Sequence, residues 1–252
     1  MAQRACGIDI GGSGVKGGVV DLETGAIIGN IAKVVTPQPS TPTSVIEACH
    51  DVMTQLDVPA DVPVGISFPA PVVHGTIPFM ANLDQAWVGV DIASLMEQRI
   101  GHRVAVVNDA DAAALGEATF GAAKGVGGVI IVTTLGTGIG SGVILDGKLL
   151  PNTELGHLEI DGYDAEKRAA ASIKTAEDLT WEQYAARLQR YYSHVEMLFS
   201  PDLFVVGGGV SENAGKFLPL LKLRTPIIPA MLRNTAGIVG AACATGSHAA
   251  TK

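Results

Sequence analysis

The strongest constraint on the fold is an internal repeat. Ile10-Gly11-Gly12-Ser13-Gly14-Val15-Lys16-Gly17 can be laid on Leu135-Gly136-Thr137-Gly138-Ile139-Gly140-Ser141-Gly142 at an offset of 125 residues, about half the 252-residue chain. Each copy reads as strand, glycine-rich turn, strand. Two glycine-rich hairpins can resemble each other by chance, but the midpoint offset favours a duplicated unit.

The flanking pattern extends this reading. Strands are expected at 5–10, 17–21, 27–35, 62–68, 103–107, 128–134, 142–145 and 203–206. Helices are expected from Thr43 or Ser44 to about Leu56, from Asp91 to about Ile100, at about 110–120, after a Thr180 cap to about Phe199, and at about 235–244 after Asn234. The expected fold class is therefore α/β, with two domains that each contain a mixed sheet and a cleft between them. The domains are expected at 1–108 and 109–252, with the last helix packing back on the first. Hydrophobic residues at 47% and charged residues at 17% fit a packed chain.

Composition narrows the function. A net charge of −8 makes the chain a poor general binder of nucleic acid. Cys6, Cys49 and Cys243 are scattered with no CxxC, so neither a disulfide framework nor a zinc site is expected. The opening Met1-Ala2-Gln3-Arg4-Ala5 does not read as a signal peptide, and no apolar run is long enough to span a bilayer. A cytoplasmic protein without a membrane partner is expected.

The glycine turns suggest the chemistry. A loop that cradles phosphate brings backbone N–H groups close to oxygens, and side chains obstruct that approach. Gly11, Gly12 and Gly14 supply such a turn, Ser13 adds a hydroxyl and Lys16 a positive charge; Gly136, Thr137 and Gly138 supply a second. There is no GxxxxGK[ST], and the segment after Gly14 reads as strand, so neither the P-loop nor the dinucleotide fingerprint applies. Either turn alone reads more readily as a tight hairpin. Asp9 before the first turn reverses that preference, because a carboxylate there is placed to hold Mg²⁺ directly or through water. Gly207-Gly208-Gly209 follows a strand and reads equally as a nucleotide-binding loop before a helix or as a close-packed turn.

These residues resemble a known family. DIGGSGVKGG (9–18), ANL (81–83), NDADAAALGE (108–117), LGTGIGSG (135–142), ELGH (154–157) and VVGGGVS (205–211) are similar, in order, to the ROK sugar kinases of the actin-like ATPase (ribonuclease H-like) superfamily. Within it, ELGHLEIDGYDAE (154–166), TPQPSTP (36–42) and 223–242 resemble the actinobacterial polyphosphate glucokinases. Two departures stand out. The CxCGxxGC zinc run is replaced by Glu159-Ile160-Asp161-Gly162-Tyr163-Asp164, and Pro-Gly by Pro69-Ala70.

The resemblance implies transfer of a phosphoryl group from inorganic polyphosphate or ATP, with Mg²⁺, to the 6-hydroxyl of glucose. Asp109 falls on the family's base; as a bare residue it reads as the N-cap of the helix that follows. Asn82, Asn108, Asp109, Glu154 and His157 are implied sugar contacts. Glu166 is a further one, for which Glu159 competes. Lys148, Lys124, Lys167, Arg168 and Lys216 are secondary cations for the polyphosphate path. The resemblance also implies a homodimer and closure around the substrates, hinged near 108–112 and the last helix. Competing readings are an ATP-dependent kinase for mannose, fructose or an N-acetylhexosamine, and a sugar-sensing regulator without catalysis. The regulator is disfavoured because the phosphate hairpin begins within ten residues of the start, leaving no room for a helix-turn-helix.

Overall fold

The first hairpin forms where the repeat places it. In a computed structural model describing residues 3–247, β1 (Arg4–Ile10) pairs antiparallel with β2 (Gly14–Asp21), and β2 with β3 (Ile27–Val35). Residues 1–2 and 248–252, the outer ends of the two expected domains, lie outside the described residues. β1 is buried along nearly its whole length, as a central strand covered on both faces must be.

The chain then crosses over. Helix α1 (Pro42–Leu56) starts earlier than the sequence suggests: Thr41, not Thr43 or Ser44, is the cap, accepting the Ser44 N–H, and Pro42 fits the first turn because its missing donor has no helical partner there. Strand β4 (Val64–Phe68) lies parallel to β1, and α2 (Ile92–Ile100) opens on Asp91, whose carboxylate accepts the Ser94 N–H at 3.0 Å. β5 (Val104–Asn108) runs directly into α3 (Asp109–Thr119).

The second half repeats the scheme. β6 (Val129–Leu135), β7 (Ile139–Leu145) and β8 (Lys148–Leu150) form a meander. Glu159–Asp164, in place of the cysteine run, closes as a ribbon of β9 (Glu159–Ile160) and β10 (Tyr163–Asp164). Short helices α4 (Glu166–Ala169) and α5 (Ala171–Ala176) lead to α6 (Trp181–Phe199), which opens on a capping box between Thr180 and Gln183. β11 (Leu203–Gly207) returns parallel to β6. The helix expected after Gly209 is instead a 3₁₀ turn, Gly209–Asn213, followed by the four-residue α7 (Ala214–Phe217). β12 (Ile227–Pro229) and α8 (Ala236–Ser247) complete the chain.

The described residues form two five-stranded sheets, ordered β3-β2-β1-β4-β5 and β12-β11-β6-β7-β8. Numbered within its own half, each sheet has the order 3-2-1-4-5, the arrangement of the actin-like ATPase fold. Two compact units result. One runs to Gly116 and resumes at Thr235; the other is Glu117–Asn234. On α6, Tyr184, Leu188, Tyr191 and Val195 are buried, whereas Leu198 is 51% exposed. No helix among the described residues is long and apolar enough to cross a membrane.

In the first unit α8 lies against β1 and β4 at backbone distance. A Cβ on Gly65 would stand 1.7 Å from the Ala241 carbonyl oxygen. Only glycine permits that approach, so Gly65→Val must push helix and sheet apart. It is expected to lower unfolding free energy by at least ~1–3 kcal/mol in urea titrations. Stability within error of the parent would contradict this packing.

Candidate active site

The carboxyl ends of the parallel strands β1, β4 and β5 bring Asp9, Ser67, Asn108 and Asp109 to one sheet edge. Asp9 is in register with Ser67, and Ser67 with Val107, one residue before Asn108. Ser67 Oγ donates to Asp9 Oδ1 at 2.9 Å, and Lys16 Nζ lies 3.0 Å from Asp9 Oδ2. The expected phosphate-loop cation is thus an ion-pair partner of the expected metal ligand. The turn beyond Asp9 is tied at its base by Gly11 N–H to the Gly14 carbonyl and by Thr36 Oγ1 to the Gly11 carbonyl. Gly12 and Ser13 at its tip are exposed.

Asn108 and Asp109 divide two tasks. Buried Asn108 accepts the Ala110 and Asp111 N–H groups through Oδ1, at 2.9 and 3.3 Å, and so caps α3. Asp109 is consequently the first helical residue, with an exposed side chain whose Oδ1 accepts the Ala110 N–H at 2.8 Å. The cap function that sequence alone assigns to Asp109 belongs to its neighbour. Asn82 sits on an exposed loop just before the 3₁₀ turn Gln85–Trp87.

The second unit assembles its own cluster. Glu166 Oε2 accepts the Ile139 N–H at 3.2 Å, and Gly138 makes room for it, since a Cβ there would fall 2.2 Å from that oxygen. Ser172 donates to the Thr137 carbonyl at 2.6 Å and its N–H to that of Gly136, so the second turn is braced from outside. The Leu155 N–H donates to Ser141 Oγ at 2.9 Å, which fixes Glu154 and His157 beside the start of β7. His157 Nδ1 lies 3.0 Å from Asp164 Oδ2 and 3.9 Å from Glu166 Oε1. One ligand atom from each of these three residues falls within 4.8 Å of the others, a spacing that a cation can bridge. Exposed Glu159 pairs with Asp164 across the ribbon. Gly207–Gly209 abuts the same turn, and a Cβ on Gly208 would meet the Leu135 carbonyl oxygen at 2.3 Å.

Electrostatics follow from this packing. The hydrogen bond that His157 makes to the Asp164 carboxylate raises its imidazole from the ordinary value against partial burial, and Glu166, Asp164 and Glu154 add to the rise. Burial raises Glu154, with His157 opposing and Glu166 reinforcing. Of the secondary cations, Arg168 stacks 4.3 Å over Tyr163, Lys124 lies 5.8 Å over Phe120 and Lys216 lies 5.4 Å over Trp181.

Residues 5–172 match the model of the ROK family. The chain belongs to that family. It is 47% identical to the polyphosphate glucokinase of Mycobacterium tuberculosis (strain CDC 1551 / Oshkosh) over 239 residues, 94% of this chain and 89% of the relative. The crystal structure of an inorganic polyphosphate/ATP-glucomannokinase from Arthrobacter sp. strain KM superposes with a TM-score of 0.92 at 54% identity, covering 97% of this chain and 99% of that one. A ROK family glucokinase from Streptomyces griseus, in complex with glucose and AMPPNP, gives a TM-score of 0.80 at 28% identity, covering 95% and 98%.

Two carboxylates of this ROK chain escaped the sequence reading. One is Asp164, whose Oδ1 accepts the Glu166 N–H at 3.2 Å. Glu117, fully buried, accepts the N–H groups of Ala122, Met231 and Leu232 at 2.7, 3.1 and 2.7 Å. Its acidic place at the end of an apolar stretch, Ala112-Ala113-Ala114-Leu115-Gly116-Glu117, was the available signal.

Removing this acceptor strands several donors, so Glu117→Ala is expected to lower unfolding free energy by at least ~2 kcal/mol in denaturant titrations. A smaller loss would mean that water satisfies those groups. The His157 shift has a definite sign. Because the folded pKa lies above the unfolded value of about 6.5, its stabilisation is complete below that pH and is lost as pH rises through the folded pKa. The stability difference between parent and His157→Ala should therefore be larger at pH 5.5 than at pH 9; the opposite trend would contradict the pairing.

Proposed function

We propose that the chain transfers a phosphoryl group from inorganic polyphosphate, with ATP as a second donor, to the 6-hydroxyl of glucose. The observation that carries the reading is an exposed Asp109 at the same sheet edge as Asp9 and the 11–14 turn. The identity to polyphosphate glucokinases over most of the chain supports the donor and the acceptor.

A sugar hydroxyl is a weak nucleophile until its proton is removed, and a positioned carboxylate is the group to take it. Asp109 accepts the O6 proton as that oxygen bonds to phosphorus and the bridging oxygen of the donor leaves. The Gly11 and Gly136 N–H groups close their turns on the Gly14 and Gly138 carbonyls, so the other backbone N–H groups of the 11–14 and 136–138 turns hold donor phosphates, and Gly207–Gly209 serves the nucleotide when ATP is the donor. Asn82, Asn108, Glu154, His157 and Glu166 hold the sugar, each presenting an amide, carboxylate or imidazole suited to paired hydroxyls. Asp9, with one oxygen toward Lys16 and one toward Ser67, fits an ion that keeps most of its water. Mg²⁺ bound there would neutralise charge on the donor phosphates. A homodimer is part of the same proposal.

Mannose is a second acceptor in this reading, because the solved relative at 54% identity is described as a glucomannokinase. The test is a coupled assay for the 6-phosphate with Mg²⁺, using polyphosphate or ATP as donor and glucose or mannose as acceptor. Product from glucose with polyphosphate is expected. No product from glucose with either donor would reject the function.

A further inference from the structure

We propose that Asp164 is a positioning residue that sets the ring of His157 toward the sugar. The inference deepens the function proposed above and rests on its reading of His157 as a sugar contact. Asp164 Oδ2 lies 3.0 Å from His157 Nδ1, and Asp164 Oδ1 accepts the Glu166 N–H at 3.2 Å. An ionised carboxylate can only accept, so Nδ1 carries a proton whatever the charge of the ring. That fixes the other nitrogen, Nε2, as the atom presented to a hydroxyl: an acceptor when the ring is neutral, a donor when it is charged.

The carboxylate that imposes this orientation is itself constrained. Asp164 pairs with Glu159 across the β9–β10 ribbon, and the Ala165 N–H donates to the Leu158 carbonyl at 2.9 Å, so the chain closes beside His157. The Asp164 side chain is 26% exposed and that of His157 is 49% exposed, so the better-held group orients the looser one. Its second oxygen fixes the start of α4. Glu166 on that helix reaches the Ile139 N–H beside the 136–138 turn. One side chain thereby sets two sugar-facing groups, and a histidine without it would turn about its own bonds and choose its own tautomer.

The test uses the full chain as Asp164→Ala, Asp164→Asn, His157→Ala and Asp164→Ala/His157→Ala. Steady-state kinetics are combined with ¹⁵N–¹H NMR of the histidine rings at a pH where His157 is neutral. In Asp164→Ala, glucose KM is expected to rise roughly tenfold or more, from loss of a charge-assisted hydrogen bond, with kcat falling much less. The His157 ring should lose its Nδ1–H form. Asp164→Asn should restore part of the KM, since its amide oxygen still accepts from Nδ1–H. In the His157→Ala background, removing Asp164 should raise KM little further. Penalties that multiply as if independent, or an Nδ1–H ring that persists in Asp164→Ala, would overturn the inference. If His157→Ala leaves glucose KM unchanged, the sugar-contact reading of His157 fails instead, and the ring tautomer still decides what Asp164 does.

Discussion

A helix that begins immediately after a strand needs an acceptor for its first amides, and which residue provides it decides whether Asp109 can act on a substrate. Buried Asn108 provides it, through one oxygen and two N–H groups. Asp109 is thereby placed at the first helical position with its side chain exposed, beside the strand ends that carry Asp9 and Ser67. The residues proposed as base, metal ligand and phosphate turn all lie on one sheet with three parallel neighbours, β1, β4 and β5.

The two units share their sheet order but not their chemistry. At the repeat offset, Asp9 corresponds to Thr134 and Lys16 to Ser141. In the first unit Lys16 pairs with Asp9; in the second, Ser141 anchors the segment that bears Glu154 and His157. The hairpins also differ by one residue in register, Ile10 facing Val15 but Leu135 facing Ile139. A slip of one residue exchanges the faces of a strand, so equivalent positions on the returning strands point to different surroundings.

Much of the architecture was legible because local signals agreed with the long-range ones. The repeat predicted both hairpins, and Thr180 announced α6. Asp91 announced α2. Less was legible where short polar segments take their shape from neighbours. The β9–β10 ribbon has two residues per strand, too few to show a period, and it forms because Ala165 and Leu158 close it. The helix expected after Gly209 is interrupted because Gly208 packs on the Leu135 carbonyl, a contact between residues far apart in the chain. For the site, motif order singled out Asp109, Glu154, His157 and Glu166 as candidates. It could not reveal that Asn108 is the cap, that Lys16 is paired, or that Asp164 and Glu117 serve as acceptors, since each depends on hydrogen bonds that sequence spacing does not encode.

The central claim is that Asp109 removes a proton and does little else that an isosteric amide could not do. The most direct measurement pairs turnover with glucose binding by calorimetry for Asp109→Asn. The account predicts a fall in kcat of ~10²–10⁴ with glucose affinity nearly kept and an unchanged thermal midpoint. Turnover within a few-fold of the parent, or a collapse of glucose binding that accounts for the whole loss, would contradict it.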